Sequence, residues 1–356
     1  MLPYAVLPCT CARNTAATGR GLTKQILAAN KATSLDDLRK VPAANLNWPD
    51  AAANWILFNG FFVDGGVMPT QPEELYKQGK VNVKKAIFGA NSMDGVTPFG
   101  YACDGCTPPP NASGWPEAMR AHWGSAADAV MKQYPLSRFN GEVATAFVRA
   151  DADAMVVCPS FQQAKWLAAA PGASAWSYLF DYSKDRIRPC DICADIDDNM
   201  HNPIAPNNCT IAGQCSEVGW ASHCAELPFV WGTTNGAAPW DSGLTLTCEF
   251  TAAEEAFVAE VQGYWKSFFH TGKPTAADSD WPAVAPAPDV AAAAAARTTN
   301  GSATVGVAAS GAARSAGASA AFTVRLIDIL GSKAAAMKER NADCEFWKSL
   351  EPETHL

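Results

Sequence analysis

The stretch "KKAIFGANSMDG", residues 84–95, decides the fold. After two lysines, Ala86-Ile87-Phe88-Gly89 is a short apolar run of the kind that suits a buried strand. It opens directly into a polar loop, Asn91-Ser92-Met93-Asp94-Gly95. Downstream, residues 115–133 and 142–169 read as helical, the second stretch interrupted at Cys158-Pro159. A second strand is predicted at Ala175-Trp176-Ser177-Tyr178-Leu179-Phe180-Asp181-Tyr182, where aromatics dominate. Strands separated by helices predict an α/β fold with a mainly parallel sheet flanked by helices. In such sheets chemistry gathers on loops beyond the carboxyl ends of strands. Residues 91–95 form such a loop.

Working outward, Ser34-Leu35-Asp36-Asp37 reads as a helix N-cap with an acidic residue at the third helical position, and Leu35, Leu38 and Val41 follow on one face. Residues 55–69, WILFNGFFVDGGVMP, are apolar and end in a Gly-Gly turn. Thr251-Ala252-Ala253-Glu254 is a capping box, continued at helical spacing by Phe257, Val261, Tyr264, Trp265 and Phe268 until Gly272 and Pro274 stop the helix. The whole chain, 1–356, reads as a single domain carrying two irregular stretches. Residues 183–218 form a loop with four cysteines and five aspartates; residues 283–321 are rich in Ala, Gly and Ser, lack aromatics and are expected to be a flexible insertion. Phe322–Leu350 is expected to be a short structured tail.

The chain has 356 residues, 48% hydrophobic and 17% charged, which is a globular composition. A net charge of −8 gives no basic footprint for nucleic acid or an anionic lipid surface. No apolar run approaches the ~20 residues needed to span a bilayer. Twelve cysteines are many for a reduced compartment. Three glycosylation sequons, at Asn111, Asn208 and Asn300, point the same way, to an extracellular or secretory-pathway protein. The start, MLPYAVLPCTCAR, lacks a signal-peptide pattern, so the expectation is that this N-terminus is not the original one.

A second loop bears on chemistry: "GWASHCAELPFVWG", residues 219–232, with His223 and then Glu226 before an apolar run. Taken alone, His223 is a capping or core histidine and Asp94-Gly95 a turn. Both nevertheless sit on loops after predicted strands, where an acid and a base would need to be.

These residues resemble the type B carboxylesterase/cholinesterase family of the α/β-hydrolase fold. Phe62-Val63-Asp64-Gly65 with Met68-Pro69 is similar to its "P-V-x-D-G…L-P" segment, and Gly89–Gly95 to its "G-x-N-x-x-E-G" acid loop. Val157-Cys158-Pro159 is similar to "x-C-P", and His223–Gly232 to "H-G-x-E-L-x-Y-V-F-G". Tyr264-Trp265-Lys266-Ser267-Phe268 with Gly272, Pro274 and Trp281-Pro282 is similar to "Y-W-x-N-F…G-x-P…W-P", and Cys344-Glu345-Phe346-Trp347 to "C-x-F-W". The matches are collinear over roughly residues 22–350. The resemblance implies that His223 is the general base, Asp94 its orienting acid, and Cys158–Cys344 a disulfide. An imidazole takes the proton of a serine hydroxyl and returns it to the leaving alcohol, while a carboxylate fixes the imidazole tautomer. Aspartate stands where the family more often has glutamate, and Cys224 where it has glycine.

The G-x-S-x-G elbow that would carry the serine is absent. Ala313-Arg314-Ser315-Ala316-Gly317 follows the histidine and has no strand before it. A glycine-rich oxyanion loop is missing too. The expectation is the C-terminal part of a hydrolase-fold sheet, a fragment whose N-terminal half with the nucleophile elbow is absent. The leading function is a serine-type carboxylic-ester hydrolase acting on a small-molecule ester, with this chain alone inactive. The alternative is a catalytically dead, esterase-like extracellular binding or adhesion domain. No cofactor is implied. Zinc is disfavoured, because Cys103-x-x-Cys106 and Cys190-x-x-Cys193 lie far beyond ribbon spacing. Calcium is disfavoured at Asp195–Asn199, which lacks the glycine and terminal glutamate of an EF-hand loop. Ester identity, the pairing of the other ten cysteines and the oligomeric state stay open.

Overall fold

The computed structural model describes residues 16–47, 63–94, 112–182, 221, 226–232, 250–277, 280–286, 323–328 and 332–350. They fall into two compact units, one within Cys9–Val81 and the other within Asn82–Leu356.

The first unit holds helices α1 (Ala16–Ala29), α2 (Leu35–Lys40) and α3 (Pro72–Lys77). Ser34 caps α2: the Asp37 N–H donates to Ser34 Oγ at 3.1 Å, and Ser34 Oγ donates back to Asp37 Oδ2 at 2.9 Å. The expected apolar face is not buried, since Leu35 is 53% exposed. So short a helix is held by its cap and by exposed pairs one turn apart, Arg39–Asp36 and Lys40–Asp37, rather than by packing.

The second unit is built on a sheet. Its elements are β1 (Lys85–Asn91), α4 (Trp115–Trp123), α5 (Ala127–Gln133), α6 (Val143–Ala152), α7 (Cys158–Ala169), β2 (Ser174–Phe180), α8 (Leu227–Trp231), α9 (Ala252–Thr271), β3 (Thr323–Ile327), β4 (Lys333–Ala336) and α10 (Lys338–Leu350). The strand order is β1-β2-β3-β4. β1 and β2 run parallel, from Lys85↔Ser174 to Asn91↔Phe180. β3 is parallel to β2, and only β4 is antiparallel. This is the predicted α/β arrangement, with four strands among the described residues.

β2 is buried on both faces. Ala175 and Leu179 lie on the side of α7, whereas Trp176 and Phe180 join Phe229, Phe257, Val261, Trp281 and Ile327 in an aromatic core under α8 and α9. Complete burial of one such side chain contributes ~1.5–3 kcal/mol relative to exposure. A second core joins α4, α5, α6 and α10 through Met119, Trp123, Val130, Tyr134, Phe147 and Trp347.

The interruption expected at Cys158-Pro159 takes a specific form. Residues Asp153–Val157 form a π-helical turn, in which the Cys158 N–H reaches back to Asp153 O. Proline has no N–H and its ring crowds the carbonyl four residues earlier, so the wider turn relieves both problems. Sequence similarity implied a Cys158–Cys344 disulfide, and the two residues are bonded, tying α10 to α7. Within the stretch read as an insertion, Val284 is buried and its N–H donates to Ala175 O at 2.8 Å. Residues 183–218 and 287–321 lie outside the described residues.

Candidate active site

Parallel pairing aligns the carboxyl ends of β1 and β2, with Asn91 beside Phe180. The chain then leaves β1 in a loop gripped at every peptide. The Ser92 N–H donates to Phe180 O at 2.8 Å, and the Met93 N–H to Ala221 O at 3.0 Å. Asp94 folds back on the strand it follows: Asn91 N–H donates to its Oδ2 at 2.8 Å, while the Asp94 N–H points to Asn91 O at 3.3 Å. Only 6% of Asp94 is exposed. The shorter aspartate is therefore held close to the end of its own strand.

The partners of this loop matter. Ala221 stands two residues before His223, and Glu226 three residues after it. Asn91 Nδ2 donates to Glu226 Oε2 at 2.5 Å. The Asp94 loop is thus hydrogen-bonded to both flanks of the histidine segment, although residues 222–225, His223 among them, lie outside the described residues. Asn111, Asn208 and Asn300 lie outside them as well.

Tyr178 lines the same region. Its ring crosses the backbone of Gly89, where a Cβ would overlap the ring atoms. Burial, then the Glu226 and Asp94 carboxylates, push its phenol well above the usual tyrosine range, so it stays neutral. The first glycine of the acid-loop motif accordingly has a steric reason: only a residue without a side chain admits Tyr178.

Behind the loop is a buried ionic network that reading the sequence missed. Arg340 is 2% exposed; its Nε donates to Asp153 Oδ1 at 2.6 Å and its Nη2 to Ser92 O at 2.5 Å. Asp153 Oδ2 also accepts from Arg149 Nε at 3.0 Å and from Tyr134 Oη at 3.1 Å, and Tyr134 Oη accepts from Trp347 Nε1 at 2.7 Å. Asp343 takes a two-pronged grip from Arg138, at 2.8 and 2.6 Å. A signal was present in the spacing. Arg340, Asp343 and Trp347 share one helical stripe, which makes the two charges as inward-facing as the tryptophan.

The carboxylesterase family model matches residues 10–304 of this sequence. The chain belongs to the carboxylesterase family. No curated protein matches it closely enough to count as a relative. Membership carries the α/β-hydrolase fold and ester-hydrolase chemistry at the family level, and both loops of the candidate site fall within the matched carboxylesterase segment. Helix α10 lies beyond its end. No helix among the described residues of this carboxylesterase-family chain is long and apolar enough to cross a membrane.

Proposed function

We propose that this chain supplies the acid and base of a serine-type carboxylic-ester hydrolase, and that it is the C-terminal portion of one, lacking the nucleophilic serine. Asp94 orients the imidazole of His223, which removes the serine proton during attack on the ester and delivers it to the leaving alcohol. The observation that carries this is the hydrogen bond from Met93 N–H to Ala221 O, which joins the acid loop to the segment entering His223. The sheet supports the portion reading. β1 stands at the edge among the described residues, yet Ala86–Gly89 are apolar and half-buried, as a strand would be that a further neighbour covers. The cysteines, the sequons and the disulfide support a secretory setting, with Asn111, Asn208 and Asn300 as acceptors and 1–356 as one incomplete domain with insertions at 183–218 and 283–321.

The test is hydrolysis of a p-nitrophenyl ester. The purified chain is expected to show no turnover, because a base and acid without a nucleophile form no acyl-enzyme. A longer product of the same gene, carrying an upstream G-x-S-x-G, is expected to turn over and to be blocked by a serine-directed organophosphate. There, Asp94→Asn should lower kcat by about 10⁴-fold, as loss of the orienting carboxylate does in other triads. Turnover by the 356-residue chain itself would refute the portion reading. Glycine or alanine in place of the upstream serine would favour the inactive binding domain instead.

A further inference from the structure

We propose that Arg340 is a positioning residue for the relay, orienting a peptide plane that joins the acid loop to the histidine segment. This rests on the reading of Asp94 and His223 as acid and base. The peptide in question links Ser92 to Met93. Its carbonyl accepts from Arg340 Nη2 at 2.5 Å, and its N–H donates to Ala221 O at 3.0 Å. A peptide is planar, so fixing the direction of its C=O fixes the direction of its N–H. Polarising the carbonyl with a cation also makes the N–H a better donor. Arg340 therefore acts on the Ala221 contact without touching it, from the far side of a single amide.

The charge balance of the network does not require this second bond. The Ser92 carbonyl is neutral, and the counter-charge comes from Asp153, which Arg340 meets through Nε at 2.6 Å and shares with Arg149. A carbonyl two residues before Asp94 is an additional, directional target. Only a planar fork can meet a carboxylate and a carbonyl at once with fixed geometry; an ammonium group is a point charge. Nor can the fork swing away. Asp153 is held by Arg149 and Tyr134, Tyr134 by Trp347, and α10 itself by the Cys158–Cys344 bond. The C-terminal helix, which has no polar atom in the proposed relay, thereby sets the angle at which the two loops meet.

Amide hydrogen exchange on the full 356-residue chain tests this. In Arg340→Lys, exchange at the Asn91 and Met93 amides should rise about tenfold or more over the rise at two reference amides on β2's other contacts, Asp181 and Val284, since a hydrogen bond to a charged group is lost locally. A merely structural role would raise all four together, and that uniform rise, or none, overturns the proposal. If Arg340→Lys does not fold, Asp153→Asn keeps the shape while loosening the guanidinium, and the same selective rise is required of it. A separate arm reads the relay: the His223 imidazole titration, followed by NMR, should move in Asp94→Asn. No movement there removes the relay and with it any part for Arg340. Movement there together with uniform exchange in Arg340→Lys leaves the relay standing and sinks this inference alone.

Discussion

Gly89 and Tyr178 face each other across β1 and β2, and the ring fills the space where a side chain would begin. Gly89→Ala should therefore cost ~1–3 kcal/mol, the usual range for overpacking, and denaturant unfolding would show it as a lowered midpoint. Tyr178→Ala in the same background should recover part of that loss, because the two changes share one space. A different residue carries a pH signature. Hydrogen bonds from Thr33, then Ser34, then Lys40 lower the Asp37 carboxyl from 3.8 to about 2. A depressed carboxyl stabilises the fold above its unfolded value and loses that contribution as pH falls through its folded one. The α2 cap should thus weaken between about pH 4 and pH 2, with the Asp37 carbon resonance titrating near the lower figure. Asp94 became a candidate through the resemblance of Gly89–Gly95 to the family's acid loop, because taken alone Asp94-Gly95 reads as a turn. Asp153 did not, since a charge on a helix is ordinarily solvated and only the arrival of Arg340 from 187 positions away in the chain makes its burial tolerable; Arg340 left no mark but its stripe with Trp347.

At the scale of elements, the α9 cap shows how local and tertiary demands coincide. Thr251 N–H and Oγ1 both donate to Glu254 Oε2, at 2.7 and 2.9 Å, and the Glu254 N–H returns to Thr251 Oγ1 at 3.2 Å. Glu254 is fully buried and its other oxygen accepts from Tyr182 Oη at 3.0 Å, so the box also anchors the end of the β2 segment. Thr251→Ala should cost ~1–2 kcal/mol, measured by urea unfolding, and Thr251→Ser should recover most of it. This helix was readable from its sequence almost to the residue, because cap, apolar period and terminal Gly272 agree. β4 was not. Its sequence is Lys-Ala-Ala-Ala, which has no strand preference, and pairing with β3 alone makes it a strand. The π turn before Pro159 lies between these cases: a break was foreseeable from the proline, but not that the chain would widen and aim Asp153 inward.

For the molecule as a whole, family membership and a mainly parallel sheet were accessible, the first from collinear short motifs, none of them decisive singly, and the second from strands separated by helices; the strand order was not. The two-unit division was not, since nothing in composition changes at residue 81. The disulfide spans 186 positions, and closing so long a loop restricts the unfolded chain by ~4–5 kcal/mol in the entropy model. Cys158→Ala with Cys344→Ala should lower unfolding stability by that order. The same bond has a further, topological consequence. Residues 158–344 form a closed covalent ring that includes β2, β3 and both flanks of His223. A protease that cuts the ring once, at any point, opens it without dividing the molecule. A singly nicked chain should migrate as one species on a non-reducing gel and as two after reduction. Two species before reduction would mean a second cut, or a cut outside the ring.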